Sequence, residues 1–300
     1  MAPFGLGGPP DHHGRYRFSP ITERPDFSWP NGARLALHVC LNVEWFAFDD
    51  AGGAVLAARN PAPDVLNYAW RDYGNRVGLW RMLALLNELE LPVAAMLNAA
   101  VCEHAPRIVG AFAERGAEIV AHGHTNPDAP GQMPERDERA VIEHVRDALE
   151  AATGRAPKGY LAPLISEGTR TPDLLREAGF EYLLDWAHDE QPVWFEAEGG
   201  RILSVPYPQE LNDVPQIMGR RREAAEFADM IRSAWGLHRA ECAERPVVMG
   251  LALHPYLMGQ AHCFPHLARV LRQLREEAGD EVWFTTPGAI SNHYRSLGLD

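Results

Sequence analysis

The residues best suited to chemistry form a histidine-rich group in the middle of the chain. Residues 122–126 read HGHTN and directly follow the short apolar run 117–121. An apolar run that stops at a polar turn predicts a buried strand whose carboxyl end opens into a pocket. Two imidazoles and an amide placed there can bind a metal ion, or can polarise and protonate a substrate. The alternative interpretation is a polar surface loop, and the surrounding elements have to decide between the two.

Apolar runs alternate with segments of helical spacing along most of the chain. The runs predict strands at 34–43, 92–98, 117–121, 158–162, 181–184, 201–205, 214–217, 247–254 and 281–284. The helical spacing predicts helices at 76–89, 105–115, 135–152, 171–178, 222–238, 265–278 and 287–296. Such alternation is typical of parallel βα repeats, and no glycine-rich nucleotide-binding motif follows a strand. The sequence therefore predicts an α/β fold, an irregular (β/α)7-type barrel (a deformed TIM-like barrel) in a single domain, 31–300, after an extended N-terminal arm, 1–30.

Titratable side chains stand where four of the predicted strands end. Glu44 follows the first strand, His122 the third, Asp185 the strand at 181–184, and His254 ends the strand at 247–254. Because the carboxyl ends of barrel strands meet at one mouth, we expect these groups to converge there as catalytic residues. Each also has a structural interpretation: a rim charge for Glu44, a turn cap for His122, a core imidazole for His254 and a loop-holding carboxylate for Asp185.

The composition argues against several classes of function. The formal charge is −13, which disfavours a nucleic-acid or anionic-membrane surface. No apolar run approaches the roughly 20 residues that a membrane-spanning helix needs, and the first ten residues lack the pattern of a signal peptide. The four cysteines are scattered without CxxC spacing, so they indicate neither a disulfide framework nor a zinc knuckle. We expect a cytoplasmic protein that acts on a small molecule and binds neither nucleic acid nor membrane.

Five segments together resemble a known family of hydrolases. They are NVEW at 42–45, DYGNRVGLWR at 72–81, HGHTN at 122–126, TPDLLREAGFEYLLDW at 171–186 and LALHPYLMGQ at 251–260. In this order and spacing they resemble the polysaccharide deacetylase superfamily, and within it the branch of allantoinase-like and cyclic imide hydrolases. The resemblance covers the chain from Arg24 onward and implies the deformed barrel of that superfamily.

The resemblance also implies roles for individual residues. Asn42 stands at the position of the family's general base, Glu44 at a metal-ligand position, and His122 and Asn126 at the two positions of the H-x-x-x-H turn. His254 matches the late histidine that acts as general acid. Asn42 cannot accept a proton as a carboxylate does, and Asn126 is a weaker ligand than imidazole. The arginine that usually precedes the fourth-strand proline is absent from 160–163.

Cofactor use therefore stays open at the level of sequence. One divalent metal, Zn, Mn or Co, held by Glu44, His122 and Asn126 would be weakly bound, and some members of the branch that this chain resembles are thought to work without metal. Without a metal, Glu44 would itself act as the base, with His122 and His254 sharing oxyanion stabilisation and proton transfer. Opening a cyclic imide or ureide requires these steps.

Four further residues are expected to bind the substrate. Tyr73 and Arg76 lie in the DYGNRVGLWR segment, where a guanidinium fork can bind paired carbonyl oxygens. Trp45 and Trp186 directly follow Glu44 and Asp185 and would wall a pocket for a small flat ligand.

Three functions follow from the sequence. The first is hydrolysis of a non-peptide carbon–nitrogen bond in a small cyclic amide, an imide or a ureide such as allantoin. The second is N-deacetylation of an acetylated amino sugar. The third is a catalytically degenerate barrel that serves as a binding or assembly subunit. The proline-rich arm and long loops favour a homo-oligomer.

Overall fold

Strand β1, Leu35–Val43, is the centre of the fold because both of its faces are apolar enough to be covered. All nine residues are buried. Leu35, Leu37 and the alternate residues after them pack against the helices, whereas Ala36 and Cys40 face the interior of the barrel. This period of two leaves His38 and Asn42 on the interior face, and the next position on that face is Glu44.

The computed structural model describes residues 13–48 and 52–299. After β1, its strands are β2 Ala94–Leu97, β3 Glu118–Ala121, β4 Gly159–Tyr160, β5 Tyr182–Leu183, β6 Val193–Ala197, β7 Gly200–Ser204, β8 Val247–Leu253 and β9 Val282–Thr285. Its helices are α1 Val65–Tyr73, α2 Leu79–Glu88, α3 Ala100–His104, α4 Pro106–Arg115, α5 Glu135–Thr153, α6 Thr171–Glu177, α7 Ala224–Glu241, α8 Phe264–Glu277 and α9 Pro287–Ser296.

The strands form one curled sheet in the order β6-β7-β5-β4-β3-β2-β1-β8, and β9 also pairs with β1. Every pairing is parallel except that of β6 with β7, a hairpin that the sequence did not predict as such. The predicted α/β fold and deformed (β/α) barrel are confirmed. Because the strands are parallel, their carboxyl ends share one rim of the sheet.

Irregular chain, rather than another strand, lies along the outer edge of β8. The backbone N–H of Ala252 donates to the carbonyl oxygen of Leu211 at 3.0 Å, and Asn212 bridges to Ala252. Lower down, the N–H of Val248 donates to the carbonyl of Glu190 at 2.8 Å. These bonds satisfy the edge of β8 and bring the segment after Asn212 to the rim.

Two segments differ from the sequence prediction. The strand predicted at 214–217 is wrong: the chain makes a π-helical turn there, Val214–Gly219, with proline near its start. Proline lacks the N–H that a strand needs but suits the first turn of a helix.

The helix predicted at 76–89 belongs to a longer helical segment. α1 begins after Asp64, whose side chain accepts the N–H of Asn67. It continues through a π-helical turn, Gly74–Gly78, into α2. A Cβ at Gly78 would collide with the carbonyl of Pro255, so glycine allows this segment to approach the turn after β8 closely.

The described part of the N-terminal arm, residues 13–30, lies against the domain. It contains the short helical turn Ile21–Glu23 and the start of Pro30–Gly32. Arg15 forms an ion pair with Asp173 at 2.8 Å, and Arg24 binds Asp189. Residues 1–12 of the predicted arm lie outside the described residues. Within 13–48 and 52–299, no helix is long and apolar enough to span a bilayer.

Candidate active site

Three strand ends bring Glu44, His122 and His254 together. Each residue directly follows the last residue of its strand, β1, β3 and β8 respectively. Oε1 of Glu44 lies 3.4 Å from Nε2 of His254 and 3.9 Å from Nε2 of His122. The three side chains are buried, with exposed fractions of 7%, 3% and 5% for Glu44, His122 and His254. The convergence that the sequence predicted is therefore present for these three groups.

Asp213 holds the imidazole of His254 from the side opposite Glu44. Nδ1 of His254 donates to Oδ1 of Asp213 at 2.6 Å, and the backbone N–H of His254 donates to Oδ2 at 2.8 Å. The carboxylate is fully buried. Glu44, His254 and Asp213 thus form a line in which one imidazole bridges two carboxylates.

The ring of His122 is oriented by the backbone of the neighbouring strand end. Its Nδ1 lies 2.8 Å from the carbonyl oxygen of Leu161. Because a carbonyl can only accept, Nδ1 carries the hydrogen, and in the neutral ring Nε2 is left with a free lone pair. Nε2 of His122 and Oε1 of Glu44 lie 3.9 Å apart, so two hydrogen-bond acceptors face each other here.

The charges of this group stabilise one another. Burial raises the pKa of Glu44, but the charge of the neighbouring His254 opposes this effect and lowers the pKa below its usual range. Burial lowers the pKa of His254, but the carboxylates of Asp213 and Glu44 raise it to about 10. Near neutral pH, Glu44 is therefore a carboxylate and His254 an imidazolium.

Asn42 has both ends of its amide bonded to protein groups. Its Nδ2 donates to the carbonyl of Leu253 at 3.4 Å, and its Oδ1 accepts the hydroxyl of Tyr207 at 3.1 Å. The side chain is 2% exposed. The position that the family resemblance assigns to the general base therefore holds a neutral, fully bonded amide.

A cationic and aromatic wall stands beside Glu44. The guanidinium carbon of Arg71, on α1, lies 4.1 Å from the centre of the Phe46 ring. Tyr256 packs near both Phe46 and His254, at ring-centre distances of 6.3 and 5.3 Å. Asn75 fixes this helical segment to the site because its Nδ2 donates to the backbone carbonyl of Glu44 at 2.8 Å. Burial, with the Glu44 charge, raises the pKa of the Tyr256 phenol.

The two polar residues predicted to bind substrate in this segment contact other side chains of the helical segment. The side chain of Arg76 is 74% exposed and lies 3.8 Å from Asp72. The hydroxyl of Tyr73 accepts from Nη1 of Arg81 at 2.9 Å, and Arg81 also binds the carbonyl of Gly259.

The two tryptophans that were predicted to line the pocket each pack against another aromatic side chain. Trp45 stacks on His104, with ring centres 4.8 Å apart. Trp186 packs edge-on to Phe195 and donates from Nε1 to Glu167 at 2.8 Å.

Asp185 forms a pair with the carboxyl group of Glu167 and is not part of the group formed by Glu44, His254 and Asp213. Its Oδ1 accepts the backbone N–H of Ala162 at 2.7 Å. Burial and the neighbouring Glu167 carboxylate raise the pKa of Asp185 well above its usual range. The raised pKa favours the protonated form of one carboxyl group in this pair.

Two cavities lie elsewhere in the molecule. One, of about 670 Å³, lies between α7 and the edge of β8 and is lined by Tyr207, Met230 and Leu237 among others. The other, of about 1280 Å³, lies under the N-terminal arm near Trp194. Neither is lined by Glu44 or the two imidazoles, so the catalytic chemistry does not belong to them.

This chain is similar in sequence to proteins named as polysaccharide deacetylases. The family model named polysaccharide deacetylase matches residues 66–183. A Schizosaccharomyces pombe protein named as a polysaccharide deacetylase is 24% identical over 305 residues, which cover 91% of this chain and 92% of that protein. Both findings make this chain similar to the polysaccharide deacetylase family. This is a family of hydrolases that act on carbon–nitrogen bonds.

Two solved structures resemble this chain over nearly its whole length. A probable polysaccharide deacetylase from Pseudomonas aeruginosa PAO1 has a TM-score of 0.81 and 25% identity, covering 91% of this chain and 94% of its own. Puue allantoinase has a TM-score of 0.81 and 26% identity, covering 96% and 98%. Both likenesses include the curled sheet that carries Glu44 and His254.

Deacetylases of this family usually use a divalent metal, but the donor set here does not fit one well. The described ranges contain no group of three His, Cys, Asp or Glu side chains arranged to hold a metal ion. Glu44 and His122 are two strong donors, and the third candidate, Asn126, offers only its buried amide oxygen, which has no hydrogen-bond partner. His254 is an imidazolium and has no lone pair to give. No catalytic step is therefore assigned to a metal.

Sequence reasoning missed Asp213 and Arg71. Asp213 lies beside the segment interpreted as a strand, and its signal was the neighbouring Pro215, which favours a turn. Arg71 lies in α1, a helix that the sequence pattern did not predict. Its signal was Asp64, a residue type that commonly caps a helix start.

Proposed function

We propose that this protein hydrolyses a small cyclic amide, an imide or ureide, by direct attack of water. The single observation that carries the proposal is the buried line of Glu44, His254 and Asp213, with separations of 3.4 and 2.6 Å. It supplies a carboxylate base and an imidazolium acid in contact with each other. Opening an amide ring needs both, because water loses a proton and the leaving nitrogen gains one.

Glu44 and His122 would prepare the water. The two acceptors, Oε1 and Nε2, lie 3.9 Å apart, and a water molecule beside them could donate one hydrogen to each. Its oxygen lone pair would then point away from both groups, toward the carbonyl carbon of the substrate. In this role Nε2 of His122 accepts a hydrogen bond rather than stabilising an oxyanion.

Proton transfers at Glu44 and His254 would be coupled. The pKa of each group is displaced by the charge of the other. When His254 gives its proton to the ring nitrogen, the pKa of Glu44 rises, so the carboxylate can keep the proton that it takes from water. The C–O bond forms first, giving a tetrahedral intermediate, and the C–N bond breaks as His254 protonates the nitrogen. A proton then passes from Glu44 back to His254 and restores both groups.

The likeness to Puue allantoinase, at 96% coverage of this chain, supports a cyclic substrate. The departures at Asn42 and Asn126 support it too, because they remove the carboxylate base and one strong metal ligand that a metal-dependent sugar deacetylase would use. Asp213 supports the assignment of His254 rather than His122 as the general acid, since it stabilises the imidazolium.

N-deacetylation of an acetylated sugar is the second candidate. The match to the polysaccharide deacetylase model and to the P. aeruginosa structure supports it. It would use the same base and acid but release acetate.

A substrate panel tests the two functions against each other. Purified protein is supplied with succinimide, hydantoin, allantoin and an N-acetylated chito-oligomer, before and after dialysis against a chelator. We expect ring opening of at least one cyclic amide and no acetate. Acetate release alone would favour the sugar deacetylase, and turnover of neither class would contradict both.

A further inference from the structure

The guanidinium of Arg71 is a buried cation beside the site that has no role in the proposed mechanism. Arg71 is 3% exposed, and its Nε has no hydrogen-bond partner. Its Nη1 binds the backbone carbonyl of Gly52 and lies 3.5 Å from that of Ala54. Within the described ranges no carboxylate forms an ion pair with it. A guanidinium that is buried without a counter-charge is costly unless an anion or a polarised oxygen binds it.

The surroundings of Arg71 connect it to the catalytic group. Its guanidinium stacks on Phe46, two residues after Glu44 on the chain. Burial lowers the pKa of Arg71, while Tyr256 and Glu44 oppose that effect. The guanidinium is thus electrostatically coupled to Glu44.

We propose that Arg71 binds the second carbonyl oxygen of the substrate, the one attached to the leaving nitrogen, and so selects cyclic imides and ureides over simple lactams. This inference rests on the proposed function. In an imide the nitrogen lies between two carbonyl groups, and only one of them is attacked. As the C–N bond breaks, negative charge spreads from the nitrogen onto the other carbonyl oxygen.

The position of Arg71 suits that oxygen rather than the attacked one. Glu44 and His254 lie within 3.4 Å of each other and serve the attacked carbon and the nitrogen. Arg71 comes from a different element, α1, and stacks on Phe46, so it offers a small ring a cationic contact separate from His254. The planar fork of a guanidinium can bind a carbonyl oxygen through two N–H groups, which an ammonium cannot reproduce.

The alternative role for Arg71 is structural. Its bonds to the carbonyls of Gly52 and Ala54 fix the segment after Phe46 over the site. Loss of that contact would impair every ligand alike. Loss of a carbonyl-binding group would impair only ligands that have the second carbonyl.

The test compares two five-membered rings that differ in that carbonyl. Arg71→Lys, Arg71→Met and the control Arg107→Met, at an exposed helical arginine, are assayed with succinimide as substrate and 2-pyrrolidinone as inhibitor. Circular dichroism and thermal melting verify that each variant is folded. We expect both Arg71 variants to lower kcat/KM for succinimide by about 10²-fold or more. The inhibition constant of 2-pyrrolidinone should change by less than about twofold, since that ligand lacks the charged contact.

Equal loss for both rings, or no loss for either, would overturn the inference. Should the wild type open no cyclic amide, the proposed function fails, and calorimetric binding of succinimide then decides separately about Arg71. Binding to the wild type that weakens at least tenfold in Arg71→Lys, with 2-pyrrolidinone unaffected, would support the inference. Equal binding to both proteins, or no binding to the wild type, would overturn it.

Discussion

Asp213 holds His254 at two points with one carboxylate. Oδ1 accepts the ring Nδ1–H at 2.6 Å, and Oδ2 accepts the backbone N–H of the same histidine at 2.8 Å. The side chain and the main chain of His254 are therefore fixed together, and Nε2 points at Glu44. A buried carboxylate in this position both orients an imidazole and stabilises its protonated form.

Removing this carboxylate should move the alkaline limb of the pH profile. The imidazolium of His254 persists below its raised pKa of about 10 and is lost above it. Asp213→Asn removes the largest opposing charge, so the pKa falls and activity is lost at lower pH, by about 1–3 units. The measurement is kcat/KM for a cyclic imide against pH, with Asp229→Asn as control because Asp229 is exposed. A profile that overlays the wild type would contradict the role of Asp213.

Glu44 should be required for the chemical step. Glu44→Gln keeps the size of the side chain but cannot accept a proton, so we expect kcat to fall by about 10²- to 10⁴-fold. The matched control is Glu103→Gln at an exposed position of α3. Retention of half of the wild-type rate by a folded Glu44→Gln protein would rule out a base at this position.

His122 should act on the rate more than on substrate affinity. His122→Ala removes the Nε2 acceptor that faces Glu44, and we expect kcat to fall by about 10²-fold with little change in KM. His144→Ala, at an exposed histidine of α5, serves as the control. A raised KM at unchanged kcat would instead assign His122 to substrate binding.

Metal removal should leave the activity intact. The third candidate ligand, after Glu44 and His122, is the Asn126 amide, which is a weaker donor than imidazole. A bound metal ion would therefore be held weakly, and its removal should not change the rate. Dialysis against a chelator, followed by addition of Zn²⁺, Mn²⁺ or Co²⁺, checks this by the rate of imide opening. Inactivation by the chelator together with recovery on adding one of these ions would refute the metal-free scheme.

The close approach of α1 and α2 to the turn after β8 should be sensitive to a single methyl group. A Cβ at Gly78 would collide with the carbonyl of Pro255, so Gly78→Ala should lower the free energy of unfolding by about 1–3 kcal/mol. Gly110→Ala, in α4, meets nothing within 4 Å and should raise it by about 0.5–1 kcal/mol. Urea unfolding of both variants tests the pair, and equal effects would contradict the packing argument.

The sequence predicted most of the barrel and the core of the site because both depend on local patterns. Apolar runs marked β1, β3 and β8, and in parallel sheets the residue after such a run lies at a common rim. Glu44, His122 and His254 could be found in this way without any knowledge of distances. The short strands β4 and β5, of two residues each, were located but predicted too long.

Residues that depend on tertiary contacts were harder to find. Asp213 reaches His254 only because Leu211 and Asn212 bond to the edge of β8, a pairing between irregular chain and strand that has no periodicity. Arg71 is buried by Phe46, which approaches it across the fold. Arg76, five residues further, has the same side chain and a more familiar motif, yet it faces solvent.

The central strand has a consequence for how the enzyme moves. β1 is bonded along one edge to β8 and along the other first to β9 and then to β2. Its amide hydrogens can exchange with deuterated solvent only when the whole sheet opens, so they should be the slowest of the chain to exchange. Glu44 directly follows this strand, so we expect it to keep its position while the loops around it move to admit a reactant.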